Sequence, residues 1–305
     1  MKITKTKLKQ IIKEEIEQGV RARSNISLSR DQAQNIRQTQ NRAQKIIKFL
    51  TSTDPDDVEQ GLTILDTLED QQLIDAIASH FTFDSKSNSI TTRRGFKIPE
   101  ETFGMLLNYF AEKSDRVKNM LAQIENLVIN YNNFITNFDF LRFCTNLTTL
   151  DLRGCKSMEN VDALQGLTNL TKLDLSLCKS LENVDGLKGC TNLNWLDLSL
   201  CKSLENVDAL QGLTNLTELH LSHCHSLQNV DGIQGLTNLT YLDLEGCESL
   251  QNVDGLQGLM NLTELDLSWC LSLPRKLQTW FINDEYSTAY EQFMKVLNES
   301  KGNQP

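Results

Sequence analysis

The sequence predicts an α/β chain: a helical N-terminal part, a long solenoid of stacked parallel strands, and a closing C-terminal helix. Three observations carry that expectation. Cysteine recurs every 23 residues, at Cys155, Cys178, Cys201, Cys224, Cys247 and Cys270. Asparagine keeps the same step, at Asn146, Asn169, Asn192, Asn215, Asn238 and Asn261. Within each unit, runs such as Leu173-Asp174-Leu175 alternate apolar and polar residues, the period of a strand with one face buried.

One unit, residues 170–192, reads LTKLDLSLCKSLENVDGLKGCTN, or LxxLxLxxCxxLxxVxxLxxL in template form. A fixed period of about 20–29 residues with that spacing resembles the leucine-rich repeat. The unit is most similar to the short repeats of internalin-like bacterial proteins (LTNLTxLDLS), lengthened by one residue and with Cys at the usual Asn position. The resemblance covers about half the chain and implies a leucine-rich-repeat solenoid, with the parallel strands on its concave face.

In a parallel stack, neighbouring strands lie about 4.8 Å apart, so every column of the alignment becomes a ladder. The inner Leu columns form a core that no single unit could bury alone. The Cys column falls where the chain leaves the strand, where a small thiol can pack and donate to loop carbonyls. Val161, Val184, Val207, Val230 and Val253, with Leu164, Leu187, Leu210, Ile233 and Leu256, fill the other half of the core. Asp162, Asp185, Asp208, Asp231 and Asp254 stand where a helical turn starts, so N-capping is expected of them. One period earlier, Ile124, Leu127, Ile129, Asn132, Ile135, Phe138, Leu141 and Cys144 fit the template, with Asn132 in the Cys column. This is a divergent first repeat, and the solenoid is expected over residues 124–274.

Residues 1–30 read as a basic amphipathic arm. Leu8, Ile11, Ile12 and Ile16 share a helical face, and residues 1–48 hold 12 Lys or Arg against 4 Asp or Glu. A solvated face explains the charge, and with few aromatics to stack on bases, nucleic-acid binding is not expected. Residues 31–123 are expected to be a helical domain or an N-terminal cap. Asp54 can cap a helix that has Pro55 at its first position and Val58, Leu62 and Leu65 on one face. Leu73, Ile74 and Ile77 define a second helix, and residues 83–95 a loop or short hairpin. A third helix starts at Pro99 and carries Phe103, Leu106, Leu107 and Phe110, and Ser114 can cap a fourth. In residues 275–305 the chain crosses the solenoid end, and a last helix from Asp284 carries Tyr286, Ala289, Tyr290, Phe293 and Leu297.

The eight cysteines show no CxxC pair or disulfide framework; stacked buried thiols imply a reducing compartment, expected to be the cytoplasm. The start, Met1-Lys-Ile-Thr-Lys, lacks an apolar signal region, and no run of about 18 apolar residues suits a membrane span. The Asn-Leu-Thr sequons follow from duplication of the unit and need no glycan.

No phosphate loop, dinucleotide motif, nucleophile elbow or HExxH is present, so neither enzyme activity nor a cofactor is expected. His220, His223 and His225 surround Cys224, but alternation aims His220 and Cys224 in opposite directions, so no metal site is expected. The candidate site is the outward strand face: Asp174, Asp197, Asp243 and Asp266, with His220 in the same column, and the aromatic residues Trp195, Tyr241 and Trp269. Residues 146–273 hold 17 Asp or Glu against 6 Lys or Arg. That excess implies a basic protein or peptide as partner for a non-enzymatic scaffold. Two alternatives remain open at this point. One is an effector or adaptor exported by a non-Sec route to bind a host protein; the other is an enzyme hosted by residues 31–123. The sequence does not fix an oligomeric state.

Overall fold

The computed structural model describes residues 46–47, 49–84, 86–92, 99–278, 281–283 and 295. They divide into two compact units, one running to Asp84 and joined by Ile90–Met120, the other made of Ser85–Ser89 and the chain from Leu121 onward. The expected N-terminal arm and the C-terminal helix from Asp284 lie outside the described residues.

The first unit is helical with one hairpin. Helix α1 (Pro55–Leu68) begins as its sequence dictates: Pro at the first position needs no N–H donor, and Asp54 accepts from the Asp56 amide at 3.0 Å. Its buried face carries Val58, Gly61 and Leu65. Gly61 lets it approach residues 49–50 closely, since a Cβ there would lie 2.9 Å from Leu50 Cδ2 and Phe49 Cβ. Helix α2 (Gln71–Ala78) is capped by Asp70 and buries Leu73, Ile74, Ile77 and Ala78. Strands β1 (Phe81–Asp84) and β2 (Ser89–Thr92) pair as a two-stranded sheet, the short hairpin expected there. Helix α3 (Glu100–Lys113) buries Leu106, Leu107 and Phe110, and Phe81 packs on Phe110 with ring centroids 5.4 Å apart. Before α4 (Asp115–Ala122), the buried Ser114 hydroxyl donates to Asp75, tying the end of α3 to α2.

The second unit is one sheet with strand order β10-β9-β8-β7-β6-β5-β4-β3. Seven strands are parallel: β3 (Asn126–Val128), β4 (Thr149–Asp151), β5 (Lys172–Asp174), β6 (Trp195–Asp197), β7 (Glu218–His220), β8 (Tyr241–Asp243) and β9 (Glu264–Asp266). Each pairs with the next in a register of one period, as Leu173 with Leu196 and Leu196 with Leu219. β3 is the divergent first rung: Leu127 pairs with Leu150. Asn132, standing for Cys, accepts there from the Phe134 and Ile135 amides. After the last repeat the chain reverses, and β10 (Phe281–Asn283) pairs antiparallel along β9.

The ladders behave as their residue types require. Leu150, Leu173, Leu196, Leu219, Leu242 and Leu265 are buried, as are all eight cysteines. The thiols of Cys155, Cys178, Cys201, Cys224, Cys247 and Cys270 each donate to a carbonyl of the preceding rung at 3.1–3.3 Å. Burial pushes Cys144, Cys178 and Cys270 up to about 12, and Cys155 and Cys190 to about 11. Asn169, Asn192, Asn215, Asn238 and Asn261 give their side-chain amides to carbonyls one rung back, at 2.8–3.0 Å. These asparagines, all but Asn192 in Asn-Leu-Thr sequons, are thus rivets between rungs.

The expected N-caps need correction. Asp162, Asp185, Asp208, Asp231 and Asp254 open 3-10 turns, but the capping position is the preceding Val, which makes no side-chain cap bond. The capping chemistry lies two residues earlier: Asn160, Asn183, Asn206, Asn229 and Asn252 accept from the aspartate amides at 3.1–3.3 Å. Each Asp is already inside its turn, so the preceding Asn supplies the oxygen that its N–H needs.

Two outcomes follow from this packing. The buried, weakly acidic thiols should resist a thiol reagent at pH 8 in the native protein and all react in denaturant, read by absorbance of the released chromophore. Leu196→Ala, in a central rung, should lower the unfolding free energy by about 2–5 kcal/mol, read by urea titration.

Candidate functional site

Each of the seven parallel strands is three residues long, and its middle Leu points inward. The residues on either side point outward and form two adjacent columns. One runs Thr149, Lys172, Trp195, Glu218, Tyr241, Glu264; the other runs Asp151, Asp174, Asp197, His220, Asp243, Asp266.

The structure brings three of the expected aromatic and imidazole groups together. His220 lies between Trp195 and Tyr241, with ring centroids 5.5 Å from the first and 4.6 Å from the second. The three rings come from three successive rungs, so the stack runs along the solenoid. Trp195 and Tyr241 are half-buried, and the His220 side chain is 23% exposed. A fourth member was not foreseen: the Lys172 ammonium sits 4.2 Å from the Trp195 ring centroid, a cation–π contact. The register shows it, since Lys172 pairs directly with Trp195.

The aspartates have a second task. Asp151, Asp174, Asp197, Asp243 and Asp266 each accept from the amide two residues on, at 2.7–3.0 Å, holding the bend out of the strand. Burial is the main cause of a raised pKa at Asp174, and Asp197 and Asp151 add to it against the bonds from Ser176. At Asp243, burial again leads and Asp266 adds to it, against the Glu245 amide, the Ser222 hydroxyl and His220. Tyr241 is raised by burial first, then by Asp243, Glu264, Asp266 and Glu218 around it. The cations are confined to the other half: Lys172 on Trp195, and Arg153 bound to Asp151 at 3.2 Å.

Trp269 does not join this ring stack. It follows the end of β9, in the turn, with φ +63° and 67% exposure. It belongs to a separate column, Tyr131, Gly154, Leu177, Leu200, His223, Gly246 and Trp269, in which every residue has a positive φ. Nor do the histidines converge on Cys224. Its thiol is buried against the Leu198 carbonyl, and the His223 and His225 rings meet edge to face at 6.1 Å. Among the described residues, the grouping of three or more metal-type donors is Asp243, Glu245 and Asp266, with carboxylate oxygens within 4.8 Å of one another. Such carboxylate groups are common on surfaces without a metal.

The raised carboxyls set a pH dependence. A folded pKa above the unfolded 3.8 means that the fold disfavours ionised Asp174 and Asp243. Their destabilisation is complete at neutral pH and is relieved as pH falls through the folded values towards 3.8. Asp243→Asn keeps an acceptor for the Glu245 amide, so it should melt above the wild type at pH 7. The gap should close as pH approaches about 4, read by thermal melts across pH.

Among the described residues, no helix is long and apolar enough to cross a membrane. Family models match the solenoid: Leucine Rich repeats (2 copies) over residues 214–258, and Leucine Rich repeat over residues 143–163 and 258–270. No curated protein matches the chain. Among solved structures, an internalin of Listeria monocytogenes (inlF) is 21% identical, with a TM-score of 0.46, and the match covers 57% of this chain. The chain spans only 54% of that internalin's length. Internalin C2 of the same organism is 17% identical over 58% of this chain and 93% of its own, with a TM-score of 0.29. The leucine-rich repeat domain of the type III effector XopL is 17% identical over 76% of this chain and 90% of its own, with a TM-score of 0.44. With the 23-residue register on the strands and the family models on the same residues, the second unit is a leucine-rich-repeat solenoid.

Proposed function

We propose that the chain is a non-enzymatic scaffold that binds a basic protein or peptide on the outward face of its repeat sheet. The observation that carries this reading is the Trp195–His220–Tyr241 stack set among stacked carboxylates. Leucine-rich repeats build extended surfaces in which each rung adds one row of side chains, and such surfaces suit proteins and peptides. Half-buried aromatic groups supply contact area at low entropic cost. Asp174 and Asp197 stand on neighbouring rungs about 5 Å apart, as do Asp243 and Asp266, close enough to repel, and a cationic partner would relieve that repulsion. The internal precedent is Lys172, whose ammonium already lies on the Trp195 ring. A reducing compartment suits the eight free thiols.

The test is capture from lysate on immobilised protein, wild type beside Trp195→Ala plus Asp197→Lys, with both melts recorded. The reading expects a protein retained by the wild type and reduced roughly tenfold or more by the variant, with capture carried out well below both melting temperatures. Equal retention by both would reject the sheet face as the binding surface.

A further inference from the structure

The column that leaves the strands holds several bulky residues in a backbone conformation that glycine adopts most easily. At Tyr131, Gly154, Leu177, Leu200, His223, Gly246 and Trp269, φ lies between +55° and +73°. The ladder imposes this geometry. The amides at 131, 154, 177, 200, 223 and 246 each donate to a carbonyl of the next rung, as Leu177 to Ser199 and Leu200 to Ser222, both at 2.8 Å. The conformation is therefore the same whatever residue stands there, and glycine adopts it without the cost that a Cβ brings. Gly154 and Gly246 show that the fold accepts glycine.

Two of the bulky members have a local reason. A Cβ at Gly154 would meet the Tyr131 ring at 2.6 Å, so Tyr131 lies over that glycine. A Cβ at Gly246 would lie against the His223 ring, so His223 fills that space. For Leu177 and Leu200, both half-buried, the next rung carries Leu200 and His223, so no glycine there opens a space for them, and Trp269 ends the column. Large apolar residues are kept in a disfavoured conformation, and Trp269 is 67% exposed while so held. Trp269 is the solvent-facing member of the three, and strain at an exposed apolar side chain points to a task outside folding.

We propose that Leu177, Leu200 and Trp269 form an apolar lip beside the acidic columns, and that the lip and the columns together bind an amphipathic basic segment of a partner protein. The inference rests on the sheet-face reading and adds to it the chemistry of the ligand. Charge complementarity selects the occupant. Asp174, Asp197, Asp243 and Asp266 run alongside the lip, and Glu218, Glu245 and Glu264 add to them, whereas Arg153 and Lys172 are already engaged. A segment that alternates apolar and basic side chains would set the first on the lip and the second on the carboxylates. A purely basic segment would leave the lip uncovered.

The probe is a fluorescent nine-residue peptide of alternating leucine and arginine, read by anisotropy against the full chain. Its controls carry serine for leucine, or glutamate for arginine. The proposal expects binding at least tenfold tighter than either control. It also expects Trp269→Gly and Leu177→Asn plus Leu200→Asn each to weaken binding at least fivefold, with Trp269→Gly melting no lower than the wild type. Binding abolished by Asp197→Lys but indifferent to the lip variants and to the serine control would overturn the lip and leave the sheet face standing. Binding indifferent to both sets would overturn both readings. A lower melt for Trp269→Gly would show that packing retains the tryptophan, and no binding at all would show that the surface does not take such a segment; either result overturns the inference.

Discussion

Every rung of the solenoid depends on one constraint: the backbone groups that rung-to-rung pairing leaves over at the turns must find other partners. The strands are only three residues long, so most of each 23-residue unit is turn and connection. The chain answers with side chains that repeat. A buried thiol donates to one carbonyl, an Asn amide to another, and an Asp carboxylate accepts the amide that bends the chain away. An unpartnered buried carbonyl or amide costs about as much as a lost hydrogen bond, so these positions tolerate few residue types. The thiol suits its place because it is apolar enough for the core and still carries a donor. Asn132 shows the alternative at the first rung, where the same column turns to accepting amides rather than donating.

That constraint explains why so much of the fold was legible. A column that repeats at a fixed step forces equivalent residues into register, so the pairing of Leu173 with Leu196 could be written from the numbering alone. The degenerate first rung was legible for the same reason, since Leu127 falls one period before Leu150. What the period does not encode is φ. Leu177 and Leu200 are residues that elsewhere avoid a left-handed conformation, and nothing in their identity announces it. The pairs Asn160–Asp162 and Asn183–Asp185 are ambiguous in sequence for a related reason: both residue types cap, and only the backbone shows that the Asp lies inside the turn and the Asn before it.

The candidate site was legible by column and illegible by contact. Trp195, His220 and Tyr241 could be assigned to the outward face because their strands alternate. Their meeting as a stack depends on side chains leaning across rungs from two different columns, which the sequence does not fix. Lys172 shows the limit well: as a residue it was one of six cations in an acidic stretch, and only the register brings its ammonium over an indole ring. Trp269 shows a further limit, since its spacing marks a column beside the strand face but not that the residue lies in the turn after β9 with a positive φ.

The acidic column separates what folding requires from what it does not. The bend after each strand needs an oxygen that accepts the amide two residues on, and the carboxylates of Asp174, Asp197, Asp243 and Asp266 supply it. An Asn side chain offers the same oxygen without the charge. The charge itself works against the fold, because burial and the neighbouring aspartates raise Asp174 and Asp243. Rung β7 shows that the position does not demand a carboxylate, since His220 stands there and instead joins the ring stack. Hydrogen bonding therefore explains why an Asx-type acceptor recurs, and it leaves the negative charge unexplained. A charge kept at a cost to stability, on the one outward face that also gathers aromatic rings, is what a surface shaped for a cationic partner would retain.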